Sequence, residues 1–259
     1  MSRDFVSAAP SDSPRGALSG SLVFVSDVHL DASWPERSGL FAAFLARLGH
    51  PPRPAALYLL GDLFDVWLGR PSLRVEAHAP VLAALRALAD SGVEVWALQG
   101  NRDFLLDGRF CGKTGVRVVE EWLSIGIGQL RAYLCHGDRL AVTDRGHQRL
   151  RWLLRSRPAR LVASSLPEIA LSGAARWLRR RAGHGRRPAN TDGMPPIELA
   201  RIFRGGYDLV IAGHIHQERR RAMVVDGRTR HLYTLGAWEH GGSYLVFDGA
   251  SLTFHSFGG

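Results

Sequence analysis

Seven residues of metal-ligand type stand just after short apolar runs. Asp27 and His29 lie in "SDVHLD" after "SLVFV", and Asp62 lies in "GDLFD" after "ALYLL". Asn101 lies in "QGNRD" after "VEVWAL", and His136 in "HGD" after "LRAYLC". His214 and His216 form "GHIH" after "YDLVIA". Taken singly, most of these signals are weak, because D-x-H pairs are common and an aspartate after glycine often caps a helix. Two imidazoles at i and i+2 after a bend are stronger, since they can converge on one ion. If all five ends meet at one sheet edge, they build a cluster of nitrogen and oxygen donors. Carboxylate and imidazole without thiolate suit Mn²⁺, Fe²⁺, Co²⁺, Ni²⁺ or Zn²⁺. The donors are too many for one tetrahedral ion and fit two.

The elements that would position these residues alternate. The apolar runs are short enough for buried strands, and between the early ones lie the helical patterns "SGLFAAFLARLG" and "APVLAALRALADSG", the second closing on Gly92. Strand alternating with helix predicts an α/β layer structure, with its site on the loops that follow the strands. The C-terminal runs "HLYTLGAW" and "SYLVFDGASLTFHSF" predict antiparallel strands, with a tight turn at Asp248-Gly249. Residues 145–196 differ. Leu150, Leu153 and Leu154, then Leu171, Ala174, Ala175, Trp177 and Leu178, fall at helical spacing with arginines on the other faces. This predicts a basic helical cap inserted between two halves of a core, 21–144 and 197–259. Residues 1–20 are rich in Ser, Pro and Ala and lack an apolar stretch, which predicts a disordered tail, not a signal peptide.

The chain has 259 residues and a net charge of +9. Twelve arginines and one acid, Glu168, fall between Arg145 and Arg187, so that segment carries +11 and the remainder −2. A localised basic block implies an anionic partner: phosphates, nucleic acid or an acidic membrane face. Two cysteines, Cys111 and Cys135, make no disulfide framework and suit a reducing cytoplasm. No run approaches the roughly 18 apolar residues that cross a bilayer.

The motif order D-x-H, G-D-x-x-D, G-N-x-D, H, G-H-x-H resembles the calcineurin-like metallophosphoesterases, from about residue 22 to 257. The resemblance implies a layered β-sandwich flanked by helices and a site for two divalent ions. One ion would take Asp27, His29, Asp62 and His216. The other would take Asp62, Asn101, His136 and His214, with Asp62 as the bridge. Asp65, Asp103 and Asp138 would hold ligands or backbone in place.

Many members acting on simple phosphoesters carry G-N-H-D, whose histidine can protonate an alkoxide leaving group. Arg102 stands there instead, and a guanidinium does not give up its proton. Arg102 therefore points to a substrate whose leaving group is already a weak base, such as a phosphate, and it can hold two phosphoryl oxygens at once. The alternative is an arginine paired with Asp103 that only stiffens the loop.

Within that superfamily, "GDLFDVWLG", "QGNRDFLL", "HGDRL", "HQRLRWLLRS", "GHIHQ" and "LGAWEHGGSYLV" are similar to the UDP-2,3-diacylglucosamine hydrolases of lipid A biosynthesis. This implies hydrolysis of a diphosphate to UMP and 2,3-diacylglucosamine 1-phosphate by a Mn²⁺ enzyme. It also implies a cytoplasmic protein held peripherally on the anionic inner-membrane surface, with the cap over the acyl chains. Asn101, Arg102, Asp144, Asn190 and His214 would contact the lipid-linked nucleotide sugar. The chain departs from the pattern at Ile215, at Arg186 and Gly193 near Asn190, and in lacking acids after "GDLFDVWLG". Two other readings stay open: a different nucleotide-diphosphate hydrolase or nuclease, and a non-enzymatic scaffold. The cap carries only Trp152 and Trp177, each among apolar helix positions, too few stacking aromatics for a nucleic-acid partner to be expected. Scaffold relatives lose metal ligands, and none is lost here by type.

Overall fold

The computed structural model describes residues 5–6, 20–138, 140, 194–239 and 241–258. The strands fall into two sheets. The first runs in the order β1 (Phe5–Val6), β5 (Arg117–Val119), β4 (Glu94–Leu98), β3 (Ala56–Leu60), β2 (Leu22–Val25), β11 (Gly242–Phe247) and β12 (Leu252–Phe257). The second runs β6 (Trp122–Ile127), β7 (Leu130–Cys135), β8 (Leu209–Ala212), β10 (Arg228–Thr234) and β9 (Arg219–Val225). β2, β3, β4 and β5 are mutually parallel, as are β7, β8 and β10.

Side-chain alternation sorts the strands into layers. Val23, Val25, Leu57, Leu59, Val95 and Ala97 pack one way, against helices α1 (Pro35–Leu48), α2 (Ala79–Asp90) and α3 (Gly108–Thr114). Leu22, Phe24, Ala56, Tyr58, Leu60, Trp96 and Leu98 point the other way, onto Leu123, Ile125, Leu134, Leu209 and Ile211 of the second sheet. The outer face of that sheet, with Cys135, Val210, Ala212 and Leu232, is covered by Leu199 and Phe203 of α4 (Pro196–Arg204). The order is helix, sheet, sheet, helix. Strands buried on both faces explain why their sequences are continuous apolar runs.

The helices begin and end for local reasons. α1 starts on a proline, whose missing N–H costs nothing in a first turn, and buries Phe41, Phe44 and Leu45 along one stripe. α2 buries Val81, Leu82, Leu85 and Leu88, and Gly92 follows it at φ +95°. The Asp107 side chain caps α3 by accepting the N–H groups of Arg109 and Phe110, and Gly115 closes it in the left-handed region.

Some elements differ from expectation. The site strands do not share one sheet: β2, β3 and β4 belong to the first, β7 and β8 to the second. β10 is antiparallel to β9 and also parallel to β8. Phe5–Val6 pairs with β5, a strand that the expectation of a disordered tail over 1–20 does not include. The β11–β12 hairpin turns at Asp248-Gly249, where the Asp248 carboxylate accepts from the N–H groups of Ala250 and Ser251. The expected cap as far as residue 193, with Asp144, Arg186, Asn190 and Gly193, lies outside the described residues. Among the described residues, no helix is long and apolar enough to cross a membrane.

Candidate metal centre

The ends of β2, β3 and β4 meet those of β7 and β8 across the sandwich. The stitching is specific. His136 is fixed through Nδ1 against the Leu60 carbonyl at 2.9 Å, and the backbone N–H of His214 donates to Asp27 Oδ2 at 2.8 Å. Each contact joins the end of a strand in one sheet to the end of a strand in the other.

The backbone leaves each strand abruptly. Asp27, His29, Asp62, His214 and His216 have φ values of 54°, 51°, 52°, 70° and 59°. Non-glycine residues in this left-handed region each carry strain on the order of 1 kcal/mol or more, and such strain gathers at functional sites. Glycines make the close approaches. A Cβ on Gly100 would run into Asp62 Oδ1 and the Asp62 nitrogen, and a Cβ on Gly213 would run into Ser26 Oγ, with Asp27 Oδ2 at 2.6 Å. Gly100→Ala and Gly213→Ala are each expected to weaken metal binding by more than about tenfold, as displaced support of a ligand does. Gly112→Ala, with nothing within 4 Å of its Cβ, is expected to leave it unchanged. Metal titration of the metal-free variants checks this.

The two central carboxylates are used alike. Asp27 spends Oδ2 on the His214 N–H, and Asp62 spends Oδ1 on the Arg102 N–H at 2.9 Å. Their other oxygens face the imidazoles. Asp27 Oδ1 lies 3.2 Å from His216 Nε2 and 3.8 Å from His29 Nε2, and those two nitrogens are 3.2 Å apart. Asp62 Oδ2 lies 3.5 Å from His136 Nε2, whose other near neighbour is Asn101 Oδ1 at 2.9 Å. Asp27 Oδ1 is buried without a hydrogen-bond partner among the described residues. A buried carboxylate oxygen facing two ring nitrogens at this range is a poor end in itself and a good donor set for a cation.

Two trios bring their donor atoms within 4.8 Å of one another: Asp27, His29 and His216; and Asp27, Asp62 and His136. The structure therefore brings together five of the seven expected ligands in those trios. Asn101 is joined to them by its contact with His136, and His214 by its N–H on Asp27 and its ring 5.2 Å from that of His136. Asp27, expected for the first ion alone, reaches both trios.

Electrostatics prepare these groups. Burial alone would raise Asp27 and Asp62, but neighbouring groups outweigh it: the close contact with His216 and the nearby His136 for Asp27, and His136, His29 and Arg102 for Asp62. Both carboxyls are held below their ordinary values. Burial lowers His29, and burial with the nearby His136 pushes His214 down to about 4, so both keep their ring lone pairs near neutral pH. Burial disfavours charge on His136, yet Asp62 beside it pushes its pKa up to about 9. A metal ion bound there would replace that proton. Burial pushes the Cys135 thiol up to about 12, so no thiolate joins the donors.

The supporting acids have distinct places. Asp103 accepts the backbone N–H groups of Gly100, Asp62, Leu63 and Phe64, which ties the β3 loop to the β4 loop. Asp65 is the partner of the Arg102 guanidinium, whose Nε also lies 3.6 Å from Asp62 Oδ2. The Arg102–Asp103 pairing considered from sequence does not form, because Asp103 is already taken up by backbone N–H groups. Asp138 follows Gly137 in the turn after β7. Three contacts escaped sequence reasoning because nothing in the sequence ties these residues to the donors, although Trp238 and Glu239 lie in "LGAWEHGGSYLV". Arg37 NH1 donates to the His29 carbonyl at 3.0 Å, the Trp238 N–H donates to the Asp27 carbonyl at 3.2 Å, and Glu239 Oε1 lies 3.9 Å from His216 Nδ1.

Comparison with known proteins follows the same lines. The family model of the calcineurin-like phosphoesterases matches residues 20–218, which include all seven expected ligands. A UDP-2,3-diacylglucosamine hydrolase from Ectopseudomonas mendocina is 33% identical over 232 residues, covering 88% of this chain and 94% of that protein. One from Pseudomonas aeruginosa (strain UCBPP-PA14) is 32% identical over 231 residues, covering 88% and 95%. A solved structure, a dimetal phosphatase from Danio rerio, matches with a TM-score of 0.50 at 12% identity over 92% of this chain and 96% of that one, a likeness of fold alone. Fold, donor set and family model agree: the chain belongs to the calcineurin-like phosphoesterase family, whose members use divalent metal.

Proposed function

We propose that this protein hydrolyses the diphosphate of UDP-2,3-diacylglucosamine, giving UMP and 2,3-diacylglucosamine 1-phosphate. The observation that carries this reading is the convergence of the donor loops around Arg102, in a chain that aligns over 88% of its length with hydrolases of that name.

The proposed ligands are Asp27, His29, Asp62 and His216 for one ion and Asp62, Asn101, His136 and His214 for the other. The nitrogen and oxygen donors suit Mn²⁺. Divalent ions bound here supply positive charge against phosphoryl oxygens and a more acidic water. The chain's own residues supply the rest. Arg102 holds Asp62 with its backbone N–H and keeps its guanidinium beside the cluster through Asp65. That fixed cation suits charge gathering on a phosphate leaving group, and it has no proton to give. Asp103 binds the β3 and β4 loops into one unit, so Asp62 and Asn101 move together if at all.

Asp144 and Asn190 are proposed substrate contacts, and the cap at 145–196 is proposed to hold the acyl chains. Its arginines would face the phosphates of an anionic inner-membrane leaflet, with the protein otherwise in the cytoplasm. Nucleic acid is not part of this reading.

Purified protein with Mn²⁺, offered UDP-2,3-diacylglucosamine and a UDP-sugar without acyl chains, is expected to release UMP from the first alone, as followed by mass spectrometry. Equal release from both would replace this reading with a general nucleotide diphosphatase.

A further inference from the structure

His216 presents Nε2 to Asp27 and His29, so its lone pair on that side must be open for it to act as a ligand. Its proton then belongs on Nδ1. An imidazole that serves a metal is usually steered by whatever accepts that second proton. His136 has such an acceptor in the Leu60 carbonyl, whereas His29 Nδ1 is buried with no hydrogen-bond partner among the described residues. His216 has a carboxylate, Glu239, with Oε1 3.9 Å from Nδ1. That is longer than a hydrogen bond; the Glu239 side chain is 44% exposed, and orienting His216 requires it to close the gap.

The backbone that leads to Glu239 is held firmly. Trp238, the residue before it, is buried edge-on against Phe41 and Phe44. Its indole N–H donates to the Ser243 carbonyl at 2.8 Å, and its backbone N–H donates to the carbonyl of Asp27. A Cβ on Gly242 would strike the Trp238 ring at 2.7 Å, so Trp238 and the start of β11 fit together closely. One buried anchor thus touches Asp27 and sets Glu239 beside His216, both members of the same trio.

We infer that Glu239 is a positioning residue that orients His216 and strengthens its donation to the metal ion shared with Asp27 and His29. The inference rests on the ligand set proposed above. It is independent of the substrate.

The test is titration of the metal-free, full-length protein with Mn²⁺ by calorimetry, for the wild type, Glu239→Gln and Glu239→Ala. Glu239→Ala is expected to weaken one of two binding events by about 10- to 100-fold and to leave the other within about twofold. Glu239→Gln, which keeps an acceptor oxygen, is expected to fall between. Unchanged affinities in Glu239→Ala would overturn the inference. So would an unchanged metal affinity with a raised KM, since Glu239 would then be a substrate contact. A wild type that binds no Mn²⁺ would overturn both the inference and the ligand set. If Mn²⁺ binds as expected but UDP-2,3-diacylglucosamine is not turned over, only the substrate reading falls.

Discussion

Asp62→Asn is expected to reduce turnover by about three orders of magnitude or more, while the melting temperature stays within a few degrees. Metal-borne charge stabilisation is worth several kcal/mol, and each ~1.4 kcal/mol is tenfold in rate. Asp62 is the proposed shared ligand, so its charge bears on both ions. Asparagine keeps the shape and keeps an oxygen for the Arg102 N–H, so the loop retains its anchor. What disappears is the negative charge beside His136, His29 and Arg102. With that charge gone, the two proposed ions would sit in a poorer donor set. Steady-state kinetics at saturating Mn²⁺ and a thermal melt separate the two effects. A variant within tenfold of wild type would show that Asp62 does not bridge.

Arg102→His is expected to keep metal affinity within a few fold and to lose about 10²- to 10³-fold of diphosphate hydrolysis, the cost of removing one fixed donor from developing charge. The backbone N–H on Asp62 survives the change, so the ligand stays put. Histidine is shorter and does not carry a permanent forked cation to a phosphate. It also restores the group that protonates alkoxides in related phosphoesterases, so activity on a simple aryl phosphodiester is expected to hold or rise. The ratio of the two activities is the readout. If diphosphate hydrolysis is unchanged, Arg102 serves only as the brace of Asp65.

Much of the site was legible from sequence because each donor follows a run of residues that a doubly covered sheet demands. "SLVFV", "ALYLL" and "YDLVIA" leave little choice but a buried strand, and a polar motif after such a strand lies at its end. The division of those strands between two sheets was not legible, since β7 and β8 look no different in sequence from β3 and β4. β9 was missed because "RRRAMVV" is an edge strand, exposed along much of its length. α4 was missed because only Leu199 and Phe203, four residues apart, record its buried face in a segment that opens with two prolines. Trp238 and Glu239 bear on the site through a backbone N–H and a side chain reaching back from a distant loop. No spacing rule encodes that kind of contact. Arg102 shows the reverse: its departure from the common phosphoesterase pattern was visible at once, but its partner was not. Asp65 and Asp103 are equally placed by sequence, and only the backbone N–H groups that surround Asp103 decide between them.

The most direct test of the central claim is hydrolysis of UDP-2,3-diacylglucosamine in ¹⁸O-water with Mn²⁺, with the products weighed by mass spectrometry. The proposed attack of water at the α-phosphorus, with the acylated sugar 1-phosphate as the leaving group that Arg102 would face, predicts one ¹⁸O in UMP and none in the sugar phosphate. Label in the sugar phosphate, or UMP release that persists after the metal is removed by a chelator, would contradict it.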